Sequence, residues 1–383
     1  MASRWEYGTS ENVRLVGRVD LAGGGQVVVH DGHAYVGHFE DDAPLGTSIL
    51  DVSDPKRPRI VAQVQLPPGT QSHKVRVRDG LMFVNYQKAR KTADPAYTPG
   101  LKIFDVSKPA APKEIAFWRC AGLGVHRFDL DDRYGYISAE MEGYQGHIVV
   151  ILDLQEPTRP QEVGRWWLPG QWVAGGEKPT WEGRTHRCHH PLRRGDRLYT
   201  SYWHAGFVIL DIADLAHPKF VSRLDWSPPY PCPTHTALRI PWKLAGRDFL
   251  VVTDEEVTDR LGRWPAAFLW MVDITDERKP VPVGTYKLPD QLDAPAEEGF
   301  GAHQPQEQLY GSNVLCATWF GGGLRVLDLS NPYAPAEVGY YVPRPGKGQT
   351  RVVSNDVFVA PDGLIYLVDR LNGFEVIEYT GPR

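Results

Sequence analysis

The chain has few cysteines, no long apolar run and no excess of basic residues, and each absence excludes a class of protein. Four cysteines in 383 residues do not suggest a disulfide framework. No run of 18 apolar residues is present, so no membrane-spanning helix is expected. A formal net charge of −5 with interspersed signs offers no basic stripe for nucleic acid. The opening residues MASRWEYGTS lack the basic and apolar regions of a secretory signal, so we expect a cytoplasmic protein without membrane contact.

What the chain does contain is a repeated pattern of strands and turns. Its 38 glycines and 32 prolines are typical of many short strands joined by turns. One unit recurs six times, in which a β-branched strand ends in Asp, a Pro-containing turn follows, and a second strand closes the unit. The aspartates are Asp51, Asp105, Asp153, Asp211, Asp273 and Asp328. We interpret them as structural turn residues, because an Asp side chain accepts hydrogen bonds from its own turn.

The spacing of the repeat predicts the whole architecture. Each period of roughly 50 residues holds four strands, which is the signature of a β-propeller blade. Seven periods predict one all-β domain over residues 1–383, a single seven-bladed β-propeller with four-stranded blades. The last period, at about 354–380, ends without its fourth strand, and the segment at about 13–21 resembles that strand. The N-terminal strand is therefore predicted to complete the last blade and close the ring.

The repeat also carries a family resemblance. Its copies ILDVSDP, IFDVSKP, ILDLQEP and VLDLSNP resemble the LVIVD repeat, which occurs in seven-bladed propellers. The resemblance covers nearly the whole chain and implies the fold, but it implies no particular activity. Carotenoid-cleavage oxygenases and the selenium-binding or methanethiol oxidase group are propellers with axial histidines on iron or copper. The chain is similar to those two groups only in the arrangement of its histidines.

One register position, at the start of the inner strand of each period, is histidine in five of the seven. The stretches SHKVRV, VHRFDL, CHHPLR, THTALR and AHQPQE supply His73, His126, His189, His235 and His303, while Gly25 and Asn355 complete the set. In a closed ring these imidazoles would converge on one axis. Neutral imidazole binds Fe, Cu, Ni, Mn and Zn. We therefore predict one transition metal ion, with Fe or Cu favoured and Mn, Zn or Ni as alternatives, held by three or four of the five histidines. The bland alternative is a channel of hydrogen-bonded histidines around water.

The remaining candidates surround that end of the channel. Long loops at about 87–100, 169–187, 254–265, 289–302 and 343–353 all fall on the face where inner strands begin. Three carboxylates near this face are predicted as second-shell or acid–base groups: Glu140, Glu255 and Glu307. The predicted substrate-binding residues are Asn355, His186, His190, Arg184, Trp181 and Trp319. His186 and His190 also compete with His189 for the axial place, and the strand register favours His189.

Three functions fit these residues. The first is a metal-dependent enzyme, a non-haem iron or copper oxidoreductase or oxygenase acting on a small organic substrate, because an all-histidine ring leaves the ion its full charge. The second is a metal-dependent lyase or hydrolase acting on a sugar acid or another carboxylate. The third is a non-catalytic propeller scaffold, since fold alone does not decide function.

Overall fold

The protein is a seven-bladed β-propeller built from antiparallel sheets, as the repeat predicted. The structure is a computed structural model, and it describes residues 6–39, 45–89, 96–181, 184–257, 266–288 and 299–382. Within those ranges the 3₁₀ turn Val173–Gly175 is a short helical interruption of the strands. Parts of four predicted long loops, at 90–95, 182–183, 258–265 and 289–298, lie outside the described residues.

The strands fall into seven sheets that follow the chain. The first sheet comprises β3 (Gly24–His30), β4 (His33–His38), β5 (Leu45–Asp51) and β6 (Arg59–Gln65). The second sheet comprises β7 (Thr70–Gln71), β8 (Val75–Arg78), β9 (Leu81–Lys88), β10 (Gly100–Asp105) and β11 (Lys113–Arg119). The third sheet comprises β12 (Val125–Leu130), β13 (Tyr134–Glu140), β14 (His147–Asp153) and β15 (Gln161–Trp166), and the fourth comprises β16 (His190–Arg194), β17 (Arg197–Ser201), β18 (Phe207–Asp211) and β19 (Lys219–Leu224). The fifth sheet comprises β20 (Thr234–Arg239), β21 (Phe249–Asp254), β22 (Leu269–Asp273) and β23 (Val281–Tyr286). The sixth comprises β24 (Val314–Thr318), β25 (Leu324–Asp328) and β26 (Ala336–Tyr341) with β1 (Ser10–Glu11). The seventh comprises β27 (Ser354–Val359), β28 (Leu364–Asp369) and β29 (Gly373–Tyr379) with β2 (Val13–Val19).

The predicted closure of the last blade is confirmed. Strand β2 pairs antiparallel with β29, so the N-terminal segment supplies the fourth strand that the last period lacks. The short strand β1 pairs with β26 of the preceding sheet. Two sheet edges that would otherwise expose unpaired backbone groups are thereby covered.

By its internal contacts the chain divides into two compact units. The first unit comprises Met1–Ala34, Asp51–Arg59 and Ser227–Arg383, and the second comprises Tyr35–Leu50 and Ile60–Trp226. The sequence prediction of one domain over 1–383 stays a prediction. No helix in the described part of the chain is long and apolar enough to cross a membrane.

Two of the predicted inner strands are not regular strands. The stretch AHQPQE makes only an isolated bridge between Pro305 and Ala317, and β24 is the innermost regular strand of its sheet. Proline lacks a backbone N–H and therefore interrupts the ladder. Next to it, the side-chain oxygen of Gln306 accepts a hydrogen bond from the Cys316 N–H at 2.9 Å. In the second sheet the inner strand is broken into β7 and β8, with His73 between them.

The turns and cores follow the sequence pattern closely. Each repeat aspartate accepts a hydrogen bond from the backbone N–H two residues later, as Asp51 does from Ser53 and Asp328 from Ser330, which confirms their role as turn residues. Buried aliphatic and aromatic side chains fill the space between neighbouring sheets, for example Phe83 and Ile103 against Phe128 and Ile148. These cores fix the inner strands that carry the histidines.

Glycine is required where the chain enters the third strand of a blade. Gly206 has φ +71°, and a Cβ atom there would overlap the carbonyl oxygen of Leu224. Gly195 has a similar φ of +58° but open space around it. We predict that Gly206→Ala lowers the free energy of unfolding by clearly more than the roughly 1 kcal/mol expected for Gly195→Ala, whose cost is backbone strain alone. Urea unfolding monitored by tryptophan fluorescence measures both, and equal losses would contradict the packing argument.

Candidate metal centre

The predicted ring position coincides with a β-bulge in several blades. Strands β20 and β27 each contain one residue more than the partner strand over the same stretch of the ladder. The inserted residues are His235 and Asn355. The same irregularity falls at His126 in β12. The backbone N–H of His189 donates to the backbone oxygen of Ser201 at 2.9 Å. His190 is the residue that pairs with Ser201 in the regular ladder of β16 and β17. A bulge redirects a side chain out of the normal alternation, and bulges are common beside functional sites. The ring position therefore lies at an irregularity near the strand start, which sequence register alone did not reveal.

In the first unit, His235, Glu255 and His303 form a compact group, here called the His–Glu cluster. The two imidazole rings lie 4.1 Å apart between centroids. The Nε2 atom of His235 lies 3.9 Å from one carboxylate oxygen of Glu255, and Nε2 of His303 lies 3.9 Å from the other. All three residues are buried. Glu255, predicted as a second-shell or acid–base group, thus lies directly beside two predicted metal ligands.

The hydrogen bond behind His303 determines which of its ring nitrogens faces the cluster as an acceptor. Nδ1 of His303 lies 2.5 Å from the backbone oxygen of Asn355. A carbonyl oxygen can only accept, so Nδ1 carries the proton and donates it. Nε2 is then the unprotonated nitrogen, and it is the atom that faces Glu255. A hydrogen bond from the far nitrogen to a carbonyl is the usual arrangement of a metal-binding histidine.

A relay of side chains gives His235 the same tautomer. Nδ1 of His235 lies 2.9 Å from the hydroxyl oxygen of Thr236, and that hydroxyl donates to the amide oxygen of Gln304 at 3.3 Å. The amide N–H groups of Gln304 donate to Pro305 O and to Glu307, which fixes the orientation of the amide. Thr236 must therefore accept from Nδ1–H, which leaves Nε2 of His235 as an acceptor. Glu307, predicted as a second-shell carboxylate, ends this relay.

In the second unit, His73, His126 and His189 form a three-histidine cluster. The ring of His126 lies 5.2 Å from that of His73 and 4.7 Å from that of His189, with His147 at 5.8 Å. Burial, reinforced by the neighbouring histidines and by Arg187, holds the pKa of His126 well below its usual range. The ring is therefore neutral at physiological pH, as a metal-binding imidazole must be. Its Nδ1 lies 3.0 Å from the amide oxygen of Gln87, so Nδ1 donates and Nε2 is the acceptor.

His73 has the opposite hydrogen-bond polarity. The amide of Asn85 accepts from the Lys74 N–H at 2.7 Å and donates to the Val125 oxygen at 2.9 Å, which fixes its orientation. The same amide nitrogen lies 3.4 Å from Nδ1 of His73, so that nitrogen accepts. Nε2 of His73 then carries the proton. This ring is arranged to donate a hydrogen bond rather than to ligate a metal ion.

The other predicted histidines lie around His189 in the second unit. His189 packs on Trp203 at 4.8 Å between ring centroids and contacts His126. His186 stacks on Trp181 at 4.5 Å, and burial lowers the pKa of His186 to about 4. His190 is fully buried, and burial together with Arg127 lowers its pKa well below the usual value. Arg184 is half-buried in the same loop.

Two predicted substrate-binding residues have structural contacts instead. Asn355 donates its amide N–H to the oxygen of Gly25 and accepts from Arg370 at 2.6 Å, so both ends of the side chain are engaged. Trp319 has no exposed surface and packs edge-on against Tyr286 at 5.4 Å. Asn355 thus orients His303, and Trp319 is part of the packed interior.

Glu140 is the remaining member of the predicted set. One oxygen of Glu140 accepts from the Leu123 N–H at 2.6 Å, and the other lies 3.8 Å from Nδ1 of His147. All four cysteines are free thiols, and burial raises the pKa of Cys120, Cys188 and Cys316 to about 12. Buried neutral thiols pack as small apolar side chains.

The His–Glu cluster brings two ring nitrogens and a carboxylate together in one buried region. Nε2 of His235 and Nε2 of His303 each lie 3.9 Å from a different oxygen of Glu255. With the tautomers assigned above, both nitrogens direct a lone pair toward this carboxylate. Imidazole nitrogen and carboxylate oxygen are both ligands that a divalent metal ion accepts.

These tautomers are directly measurable. We predict that in chelator-treated protein His235 and His303 carry the proton on Nδ1, while His73 carries it on Nε2. Long-range ¹H–¹⁵N correlation spectra of the imidazole rings distinguish the two forms. Thr236→Val, which removes the acceptor behind His235, is expected to shift only the His235 pattern. A proton on Nε2 of His303 would contradict the acceptor geometry.

The comparisons with known proteins identify the fold. The family model described as the LVIVD repeat matches residues 194–225 and 313–342. No curated protein matches the sequence. Among solved structures, the chain is similar to the computationally designed Ika8 protein, with TM-score 0.53 and 6% identity over 94% of this chain and 98% of that one.

Two natural proteins show the same degree of likeness. Sqt1 of Saccharomyces cerevisiae has TM-score 0.56 and 8% identity over 94% of this chain and 84% of its own. A chain of the Mitotic Checkpoint Complex has TM-score 0.58 and 10% identity over 96% and 94%. At these identities the likeness concerns the fold alone. The chain therefore carries LVIVD-repeat matches at two sites together with a seven-bladed β-propeller arrangement.

Proposed function

We propose that the protein is a metal-dependent oxidoreductase that holds one non-haem iron ion on His235, His303 and Glu255 and acts on a small organic substrate. The observation that carries this proposal is the meeting of two Nε2 acceptors and one carboxylate, each histidine donating from Nδ1 on its far side. Two histidines and one carboxylate with open coordination positions are the donor set of non-haem iron oxygenases. Such an ion would supply Lewis acidity and redox chemistry.

The histidines of the second unit are further candidates for ligand binding. The unprotonated Nε2 of His126 suits that ring to bind a metal ion. The proton-bearing Nε2 of His73 suits that ring to donate a hydrogen bond.

The donor set favours iron over copper. Glu255 brings a hard oxygen ligand, and the thiols of Cys188 and Cys316 are held protonated by burial. Soft thiolate and thioether ligands select Cu(I), whereas two histidines with one carboxylate are the donor set of non-haem Fe(II) sites. The carboxylate thus changes the sequence expectation of an all-nitrogen centre and narrows the choice of metal.

A lyase or hydrolase is the second candidate, and the same cluster supports it. Two histidines and one glutamate also form the zinc site of several hydrolases. In that case the ion would polarise a carbonyl or carboxylate. A non-catalytic scaffold would need no metal and gives no reason for the matched tautomers of His235 and His303.

The metal content of the purified protein tests the proposal. We expect untagged protein, prepared without chelator, to contain about one equivalent of iron per chain. Glu255→Gln and His235→Ala should each weaken metal binding at least tenfold, because each removes a direct ligand. Mass spectrometric elemental analysis and metal titration measure both quantities. His217→Ala is the matched control, since His217 is an exposed turn residue bonded to Asp214, and its metal content should be unchanged.

Other metal contents would favour one of the other two functions. Zinc or manganese at one equivalent, lost in the same variants, would favour the lyase or hydrolase. No bound metal and no uptake on reconstitution would contradict both enzymes and leave the scaffold.

Oxygen dependence separates the two enzymes. For the oxidoreductase we expect substrate-dependent oxygen consumption by the iron-loaded protein across a panel of small acids, alcohols and aldehydes. Glu255→Gln should abolish this consumption. Equal substrate turnover under strict anaerobiosis with Mn or Zn would contradict the oxidoreductase.

A further inference from the structure

A cavity of about 400 Å³ lies beside the three-histidine cluster in the second unit. Its walls include Gln87, Lys88, Leu123, His126, His147 and Arg187. A volume of this size falls within the range of pockets that bind small molecules. His126 belongs to both the cluster and the cavity wall, so a ligand in the cavity would contact the three-histidine cluster.

The cavity wall is basic. Two of its side chains, Lys88 and Arg187, carry positive charge, and among the described residues no Asp or Glu is part of the wall. The positive charge of Arg187 acts on two other residues of the wall, since it contributes to lowering the pKa of both His126 and His147. A site with this charge favours an anionic ligand.

Both basic side chains are held in place by aromatic rings. The guanidinium of Arg187 lies 4.2 Å from the ring centroid of Trp203, and the ammonium of Lys88 lies 5.2 Å from that of Tyr97. Tyr97 is itself fixed by donating its hydroxyl to the oxygen of Gly122 at 2.9 Å. Charged groups held in this way lose less conformational entropy when a ligand binds.

His147 adds a polar group to the same wall. It is buried, and within the described residues its ring has a weak hydrogen-bond partner in the backbone of Gly124 and none of ordinary distance and angle. The nearest carboxylate, Glu140, lies 3.8 Å away and already accepts from the Leu123 N–H. A neutral imidazole has one N–H to donate, and a buried one gains from a ligand that accepts it.

We propose that this cavity binds the carboxylate of a small organic acid, with Arg187 as its main partner, Lys88 as a second positive charge and His147 as a hydrogen-bond donor. Guanidinium pairs with carboxylate through two parallel hydrogen bonds, which gives orientation as well as affinity. That such an acid is the substrate of the enzyme rests on the proposed function. The assignment of the cavity as an anion-binding site does not depend on it. The residue that sequence analysis chose for a substrate role, Arg184, does not line this cavity.

Calorimetric titration of the full-length, chelator-treated protein with benzoate tests the site, with benzamide as the neutral ligand of the same shape. Low ionic strength keeps the charge contribution measurable. We expect benzoate to bind at least tenfold more tightly than benzamide. Arg187→Gln should weaken benzoate binding at least tenfold, and Arg187→Lys should restore part of it. Arg184→Gln, a charge removal in the same loop, should leave binding unchanged.

Equal affinity for benzoate and benzamide would overturn the inference, as would unchanged benzoate binding in Arg187→Gln. A loss of binding in Arg184→Gln alone would move the site to that residue and would also overturn it. If Arg187→Gln fails to fold, Lys88→Gln carries the test, with a several-fold loss expected and no loss overturning the inference. Because the titration uses metal-free protein, benzoate binding without any metal uptake would refute the proposed function and leave the cavity assignment standing.

Discussion

The hydrogen bonds behind two histidines determine the chemistry of the candidate centre. Asn355 O accepts from Nδ1 of His303, and the Thr236 hydroxyl accepts from Nδ1 of His235. Each ring therefore directs its unprotonated nitrogen toward the carboxylate of Glu255. Two ring nitrogens and a carboxylate thus meet in one buried region, and together they form the donor set that the proposed ion would use. The case for a metal depends on this polarity rather than on the number of histidines.

The propeller supplies these residues through its repetition and through departures from it. Repeat aspartates and glycines keep the turns short, and packed cores between sheets hold the inner strands in place. At the inner strands the ladder is irregular, with bulges at His126, His235 and Asn355. His303 lies on a segment that Pro305 prevents from forming a regular strand. The scaffold is regular where it is structural and irregular where the candidate ligands lie, as is common for functional sites.

Much of this was predictable from sequence, because the repeat is periodic and its turn chemistry is local. The blade number, the turn role of Asp51 and its equivalents, and the pairing of β2 with β29 all follow from pattern. The tautomers did not follow, since they depend on contacts such as His303 with Asn355 that are 52 residues apart. Arg187 was overlooked for the same reason, since only the structure places it in the cavity wall with its guanidinium packed on Trp203. The complete burial of Trp319 could not be predicted either, because it depends on packing against residues such as Tyr286.

Anomalous X-ray scattering from crystals of the protein as purified tests the central claim most directly. Data collected on either side of the iron absorption edge would locate the element and its neighbours together. The account predicts one strong peak about 2 to 2.3 Å from Nε2 of His235, Nε2 of His303 and a carboxylate oxygen of Glu255, present above the edge and lost below it. A water molecule in that place, or a metal bound elsewhere with His235 and His303 hydrogen-bonded only to protein, would contradict it.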